Sequence, residues 1–231
     1  MEPWSDPSRA ADGHFEADHD HGQGRHGHQA SLGDGLDFVN TLEYDKGQPT
    51  EELVDPEGAI RWFQEHALLH RNTADQLVAD TGHDEEAATR LLQRVRRVRA
   101  ALRELLDAAV ARRPAQASAL REVNRALRAP YIYELVPAAD GVSLDHRHEG
   151  DPISGALARL SEAIARELTA GDTKRLRICA NDECRWVFRD NSSAGRRKWC
   201  DMSTCGNRAK AARHRERQKA REDELPVMPV V

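Results

Sequence analysis

The chain has little of what membrane spans, secreted scaffolds and most catalytic centres are built from. Aromatic residues make up only 5% of its 231 positions, and there are four cysteines and three methionines. No run of about eighteen apolar residues occurs, so no helix is expected to cross a membrane. The opening Met1-Glu2-Pro3-Trp4-Ser5-Asp6 lacks the basic and apolar regions of a signal peptide. The expected location is therefore cytoplasmic, where thiols stay reduced and serve metals or catalysis rather than disulfides. A Gly-rich phosphate loop and a nucleophile elbow are both missing. His66 and His70 lie four apart on an expected helix, but no Glu follows His66 in the register of a zinc protease. His146 and His148, next to Glu149, read as surface residues. An enzyme is not expected.

What is present is unevenly distributed. The net charge is −5. Residues 173–221 alone hold fifteen Lys and Arg against five Asp and Glu, a net of +10, which leaves −15 for the rest. A basic module joined to an acidic body points to a polyanion that meets only the C-terminal part.

Residues 1–30 read as a disordered leader, with glycines, scattered acids and His14, His19, His21, His26 and His28 but almost nothing to bury. Loose metal binding is the alternative for these histidines. Residues 31–172 read as a mainly helical body. Leu36, Phe38, Val39 and Leu42 form a short helical face. Asp55 then caps a helix with Pro56 at its first position, followed by Ile60, Trp62, Phe63, Ala67 and Leu68. A long helix spans about 84–112, with Leu91, Val95, Val98, Leu102, Leu105, Leu106 and Ala109 on one stripe. Another, through Ala119, Leu120, Val123 and Leu127, stops before Pro130. The period changes at Tyr131–Val136, which pairs across Ala139-Asp140-Gly141 with Val142–Asp145 as a hairpin. A last body helix starts near Pro152. Residues 222–231 form an acidic and apolar tail. The fold class is α+β: a mainly helical body with a small β-hairpin, then a four-cysteine zinc-ribbon-like finger over 173–221 with a basic helix.

The four cysteines carry the chemistry. Cys179 and Cys184 form one Cys-x4-Cys pair, and Cys200 and Cys205 another, fifteen residues on. Two short pairs across a loop bring four thiolates to tetrahedral positions around one Zn²⁺, with no open coordination site and hence a structural role. Two disulfides and an iron–sulfur cluster are the alternatives. Ile178, Trp186, Phe188 and Trp199 are expected to form a tiny core around the metal, and Arg185, Arg197 and Lys198 to offset its charge. Past Cys205 the segment to Arg221 is rich in helix formers yet has nothing large to bury. Lys210, Arg213, Arg217 and Arg221 share one face. Arg196, Arg197, Lys198, Asn207, Arg208, Arg215 and Lys219 widen the expected nucleic-acid surface. In the body, Asp37 and Asn40 are polar residues in an apolar opening helix. They read either as pocket residues or as residues satisfied by local hydrogen bonds.

Cys205-Gly206-Asn207-Arg208, with the cysteine spacing and the basic helix, resembles the CGNR zinc-finger family. Gly35-Leu36-Asp37-Phe38-Val39-Asn40-Thr41-Leu42, with Asp55-Pro56 and Trp62, resembles the opening of the ABATE domain that accompanies this finger in bacterial proteins. The resemblance covers roughly residues 31–220; the His-rich leader departs from it. It implies a stress-related transcription regulator whose finger binds DNA and whose body senses a small-molecule effector. From the residues alone, RNA is the alternative nucleic acid. An enzymatic or small-molecule-binding body with a scaffold finger, and a metal sensor, are rival functions. A homodimer is one candidate assembly.

Overall fold

The computed structural model describes residues 29–45, 47–138 and 141–223. The expectations for the His-rich leader, and for the tail beyond residue 223, fall outside the described residues.

Four of the body helices begin at a side-chain cap that supplies an acceptor to an otherwise unpaired N–H. Ser31 and Asp34 form a reciprocal capping box on α1 (Leu32–Asn40), at 3.1 and 2.7 Å. Asp55 accepts from Gly58 at 2.7 Å to open α2 (Pro56–Glu65), with Pro56 in the first turn. Asp84 accepts from Ala87 at 2.8 Å at the head of α4 (Glu85–Ala111). Then come α5 (Ala117–Ala126) and α6 (Pro152–Ala170), the latter capped by Asp151. The 27-residue α4 is the axis of the body and touches α1, α2, α5 and α6. Its stripe of Val95, Val98, Leu102, Leu105 and Leu106 is buried against Phe38, Ile60, Phe63, Leu157 and Ile164. Where α1 crosses α6, Gly35 has no room for a side chain: a Cβ there would lie 2.9 Å from Ile164.

Three features depart from the sequence expectation. A helix, α3 (Arg71–His83), follows α2; only Ala74 on it is buried, so it carries almost no apolar stripe to announce it. Packing on α2 and α4 holds it instead. Leu42 does not continue α1 but opens an antiparallel ribbon, β1 (Leu42–Asp45) with β2 (Gln48–Glu51). Finally, His66 and His70 do not share a helix. The chain turns through Ala67 at φ 54° and His70 precedes α3, while His66 stacks on Trp62 at 3.7 Å.

The expected hairpin is present and longer than its pattern implied: β3 (Tyr131–Ala138) pairs with β4 (Gly141–His148) over eight residues each. Beyond α6, β5 (Leu176–Ile178) pairs antiparallel with β6 (Val187–Arg189), and α7 (Asn207–Asp223) ends the described chain. The architecture is α+β, helices dominating with three two-stranded ribbons. Among the described residues no helix is long and apolar enough to cross a membrane.

Candidate metal centre and nucleic-acid interface

The finger is built onto the body rather than hung from it. Residues opposite one another in an antiparallel pair share a face. Leu176, Ile178 and Val187 thus lie on one face, and Phe188 on the other. The first face enters the body: Leu176 and Val187 are each 1% exposed and belong to the body's core, with Ile178 packed beside them. This corrects the expectation that Ile178 lines the metal. The second core holds Phe188, Cys179 and Cys205, flanked by Trp186, Trp199, Cys184 and Cys200.

Three polar contacts fix the same junction. Asn40, 5% exposed at the end of α1, acts as an extra strand residue: its Nδ2 donates to the Val187 carbonyl and its Oδ1 accepts from the Val187 N–H, both at 2.9 Å. Arg103 of α4 donates to the Arg185 carbonyl at 2.8 Å. Arg189 pairs with Glu167 of α6. Arg185 itself stands at φ 57° with its guanidinium 4.9 Å from the Tyr44 ring centre, so it faces the body rather than offsetting charge at the cysteines.

The four cysteine sulfurs lie within 4.8 Å of one another. Cys184 to Cys200 is 3.7 Å and Cys200 to Cys205 is 3.8 Å. A disulfide needs about 2.05 Å, so these are thiols and not bridges. Four sulfurs at 2.3 Å from a tetrahedral zinc would be about 3.8 Å apart, so the donor set and its spacing fit a bound metal. Two knuckles make this possible. Cys179 donates its N–H to Trp186 and Cys184 donates to Asn181, closing the first. Ala180 donates to the Lys198 carbonyl at 2.7 Å and brings the second alongside. Cys205 sits in a π-helical turn, 202–206, whose cap is Asp201. The Ser203 hydroxyl and the Thr204 N–H and hydroxyl hold the Asp201 carboxyl down at about 2.

Without a cation these thiols obstruct one another. Burial pushes Cys184 up to about 11, and burial together with Cys179 and Cys184 raises Cys200 further. Burial also opposes ionisation of Cys205, but a hydrogen bond from Asn181 at 3.6 Å and the other thiols outweigh it and lower its pKa. A site with one sulfur poised to ionise and others held protonated gains most from a cation that accepts all four as thiolates.

Two supporting residues carried no sequence signal. Asp190 is 1% exposed and accepts from the Ser192 hydroxyl at 2.6 Å, the Ser192 N–H at 3.0 Å and the Arg197 N–H at 2.8 Å. Its carboxyl is held down at about 2, chiefly by the Ser192 hydroxyl. Asn181 links the two knuckles through Cys205. An Asp beside Asn-Ser-Ser could have been read as a turn former, but its burial could not.

Of the residues expected to meet nucleic acid, Arg196, Lys198, Asn207, Arg208, Lys210, Arg213, Arg215, Arg217, Lys219 and Arg221 are exposed. Arg197 is not free to do so: its guanidinium lies over Phe188 at 5.2 Å and donates to the Cys200 carbonyl, because the loop pinned by Asp190 turns it inward. The Arg213 guanidinium lies over the finger, 5.9 Å from the Trp199 ring centre. Asn207 donates to the Ser203 carbonyl at 2.9 Å, tying α7 to the π turn rather than capping the helix N–H groups. Gly206 takes no left-handed backbone; a Cβ there would meet the flexible end of Met202. Asp37 is exposed. Neither it nor Asn40 lines the two body clefts formed by the described residues along α4. One such cleft, about 460 Å³, lies between α4, α5 and the start of α6, with Arg94, Arg97, Arg125 and Arg128 around Val98 and Leu157.

The family model described as "Putative stress-induced transcription regulator", ABATE, matches residues 35–171, and the CGNR zinc finger model matches residues 175–218. The chain belongs to the ABATE family. In this ABATE protein the finger follows its body after three residues, which suits the shared core described above. No curated protein matches the chain.

Proposed function

We propose that this ABATE protein is a transcription regulator that binds duplex DNA through α7, with one structural Zn²⁺ anchoring that helix. The observation that carries the reading is α7 itself. Over residues 207–221 of this helix only Ala209 and Ala212 are partly buried, while Arg208, Lys210, Arg213, Arg215, Arg217, Lys219 and Arg221 are exposed. A helix with so little to bury is held at its N-terminal end, by Cys205 and by Asn207 on Ser203, and projects about 25 Å of basic surface. Phosphate is the complement of such a surface. DNA is favoured over single-stranded RNA because the finger's tryptophans, Trp186 and Trp199, are half-buried on the cysteine cluster rather than presented for base stacking. The zinc ligands are Cys179, Cys184, Cys200 and Cys205, and four sulfurs in this space suit a single ion. The cleft beside Val98 and Leu157, where Arg94 pairs with Asp151 and Arg97 and Arg125 pair with Glu122, is the place where a small-molecule effector would enter the body.

Fluorescence anisotropy with labelled DNA and RNA across a salt series tests this. Five phosphate contacts on duplex DNA give a slope of log K on log salt of about −4.5, and Arg217→Ala with Lys210→Ala should remove about 2 of it. Binding that is independent of salt, or unchanged in the double variant, would overturn the reading.

A further inference from the structure

Of the eight large apolar side chains exposed among the described residues, five lie on the β3–β4 ribbon: Tyr131, Tyr133, Leu135, Val142 and Leu144. They are gathered, not scattered. Leu135 stands opposite Leu144 and Pro137 opposite Val142, while Tyr131 and Tyr133 occupy alternate positions of the same strand. All six therefore share one face. Leu135 and Val142 are 72% and 73% exposed, and the two tyrosine rings meet edge to face at 5.4 Å. The body supports this ribbon at its foot, where His148 packs on Gly155 of α6, and the Glu149 N–H donates to the Pro130 carbonyl across the base of the hairpin itself. An isolated two-stranded hairpin is only marginally stable in water and needs a further layer on its apolar face.

We propose that this layer is a second copy of the chain, and that the β3–β4 face is a two-fold homodimer interface. The chemistry of the face argues for self-association. None of these six side chains carries a charge. The same face also bears His146 opposite Tyr133 and His148 opposite Tyr131, at the foot where His148 is held against Gly155, so the outer part of the face is wholly apolar. A patch of this kind is its own complement under a two-fold axis. The side chains present roughly 500 Å² per copy, at the upper end of what monomers leave open, and about 1,000 Å² in a pair, the lower bound for a specific interface. The dimer is thus reversible, in the micromolar range. It also has an electrostatic signature. The body over residues 31–172 holds 17 Lys and Arg against 25 Asp and Glu, a net of −8, so two bodies repel, and added salt strengthens dimerisation. Salt has the opposite effect on phosphate binding by α7, and the dimer does not rest on that activity.

Sedimentation equilibrium of the full-length, metal-loaded protein from about 1 to 100 µM tests the proposal. The expected mass moves from 25.9 kDa towards twice that value as concentration rises, more so at higher salt. Leu135→Asp with Leu144→Asp should weaken association at least about 100-fold, with the helical circular dichroism and the metal content unchanged because the helical body and the finger do not rest on these exposed side chains. Leu135→Met with Leu144→Met should retain it. Hydrogen exchange supplies a second readout: ribbon amides should gain protection with concentration in the wild type and not in the Asp double variant. A monomer at about 100 µM, a dimer indifferent to the Asp pair, or a ribbon that binds lipid vesicles while the chain stays monomeric would overturn the proposal.

Discussion

Replacing Asn40 separates a structural joint from a ligand pocket. Its amide makes two 2.9 Å hydrogen bonds with the Val187 main chain, and both residues are buried. Asn40→Ala leaves a buried N–H and a buried C=O without partners, each worth about 1–3 kcal/mol, so the expected loss is about 2–5 kcal/mol. For a domain of this size that lowers Tm by roughly 5–15 °C. Asn40→Asp sharpens the test. The new carboxylate still accepts from the Val187 N–H, but its other oxygen faces the Val187 carbonyl, and burial further disfavours its charge. Its folded pKa is therefore raised, and the protonated form can donate where the amide did. Stability of Asn40→Asp relative to wild type should be best below the ordinary Asp pKa of about 3.9 and fall as pH rises through the folded value. Urea unfolding from about pH 4 to pH 8 measures both effects. An Asn40→Ala loss under about 0.5 kcal/mol, or an Asn40→Asp deficit that is flat with pH, would refute the joint.

Other outcomes follow from the same contacts. Arg99 is 4% exposed and pairs with Glu51 at 2.5 Å and Thr41 at 2.8 Å, so Arg99→Ala should cost about 3 kcal/mol in chemical denaturation, the low end for a buried pair because Glu51 keeps some solvent and Arg96. Burial pushes Glu51 up, but its bond to Arg99 lowers it overall; that stabilisation is therefore full above the ordinary Glu range and lost as pH falls below it. Removing the metal with a chelator should melt α7 and the second knuckle while β5 and β6 stay docked, since Leu176 and Val187 lie in the body core; hydrogen exchange that opens body and finger together would contradict this. Gly195→Ala should destabilise the finger by about 1–2 kcal/mol, since Gly195 stands at φ 59° with the Arg175 guanidinium 2.6 Å from where a Cβ would be, and a metal-competition titration should register it. Arg112→Gly should raise Tm by a few degrees, because Arg112 holds the left-handed end of α4 at φ 52°.

Much of this architecture was written in local chemistry. Asp55-Pro56 and Asp84 announce helix starts because a side-chain acceptor at that place satisfies an N–H nothing else can reach. The stripe of α4 and the alternation of the β3–β4 ribbon announce which faces are apolar. The cysteine pairs announce a metal because two Cys-x4-Cys pairs across a loop are the spacing that gathers four sulfur donors around one ion. What local pattern cannot carry is partnership. The α3 helix has too small a stripe to be seen and exists because α2 and α4 enclose it. Asn40 was legible as a polar residue in an apolar helix, but only the fold shows that its partner is Val187, 147 positions away. Arg197 and Arg185 looked identical to their basic neighbours until Phe188 and Tyr44 claimed them. Asp190 acquired its role from burial in a loop that only the knuckles close. By itself the sequence determined where the capped helices begin, which faces seek cover and which sulfurs are grouped as a donor set for a metal, since those depend on neighbours within a few residues. Tertiary structure alone decided that body and finger share one core, because that depends on which apolar faces find each other across the chain.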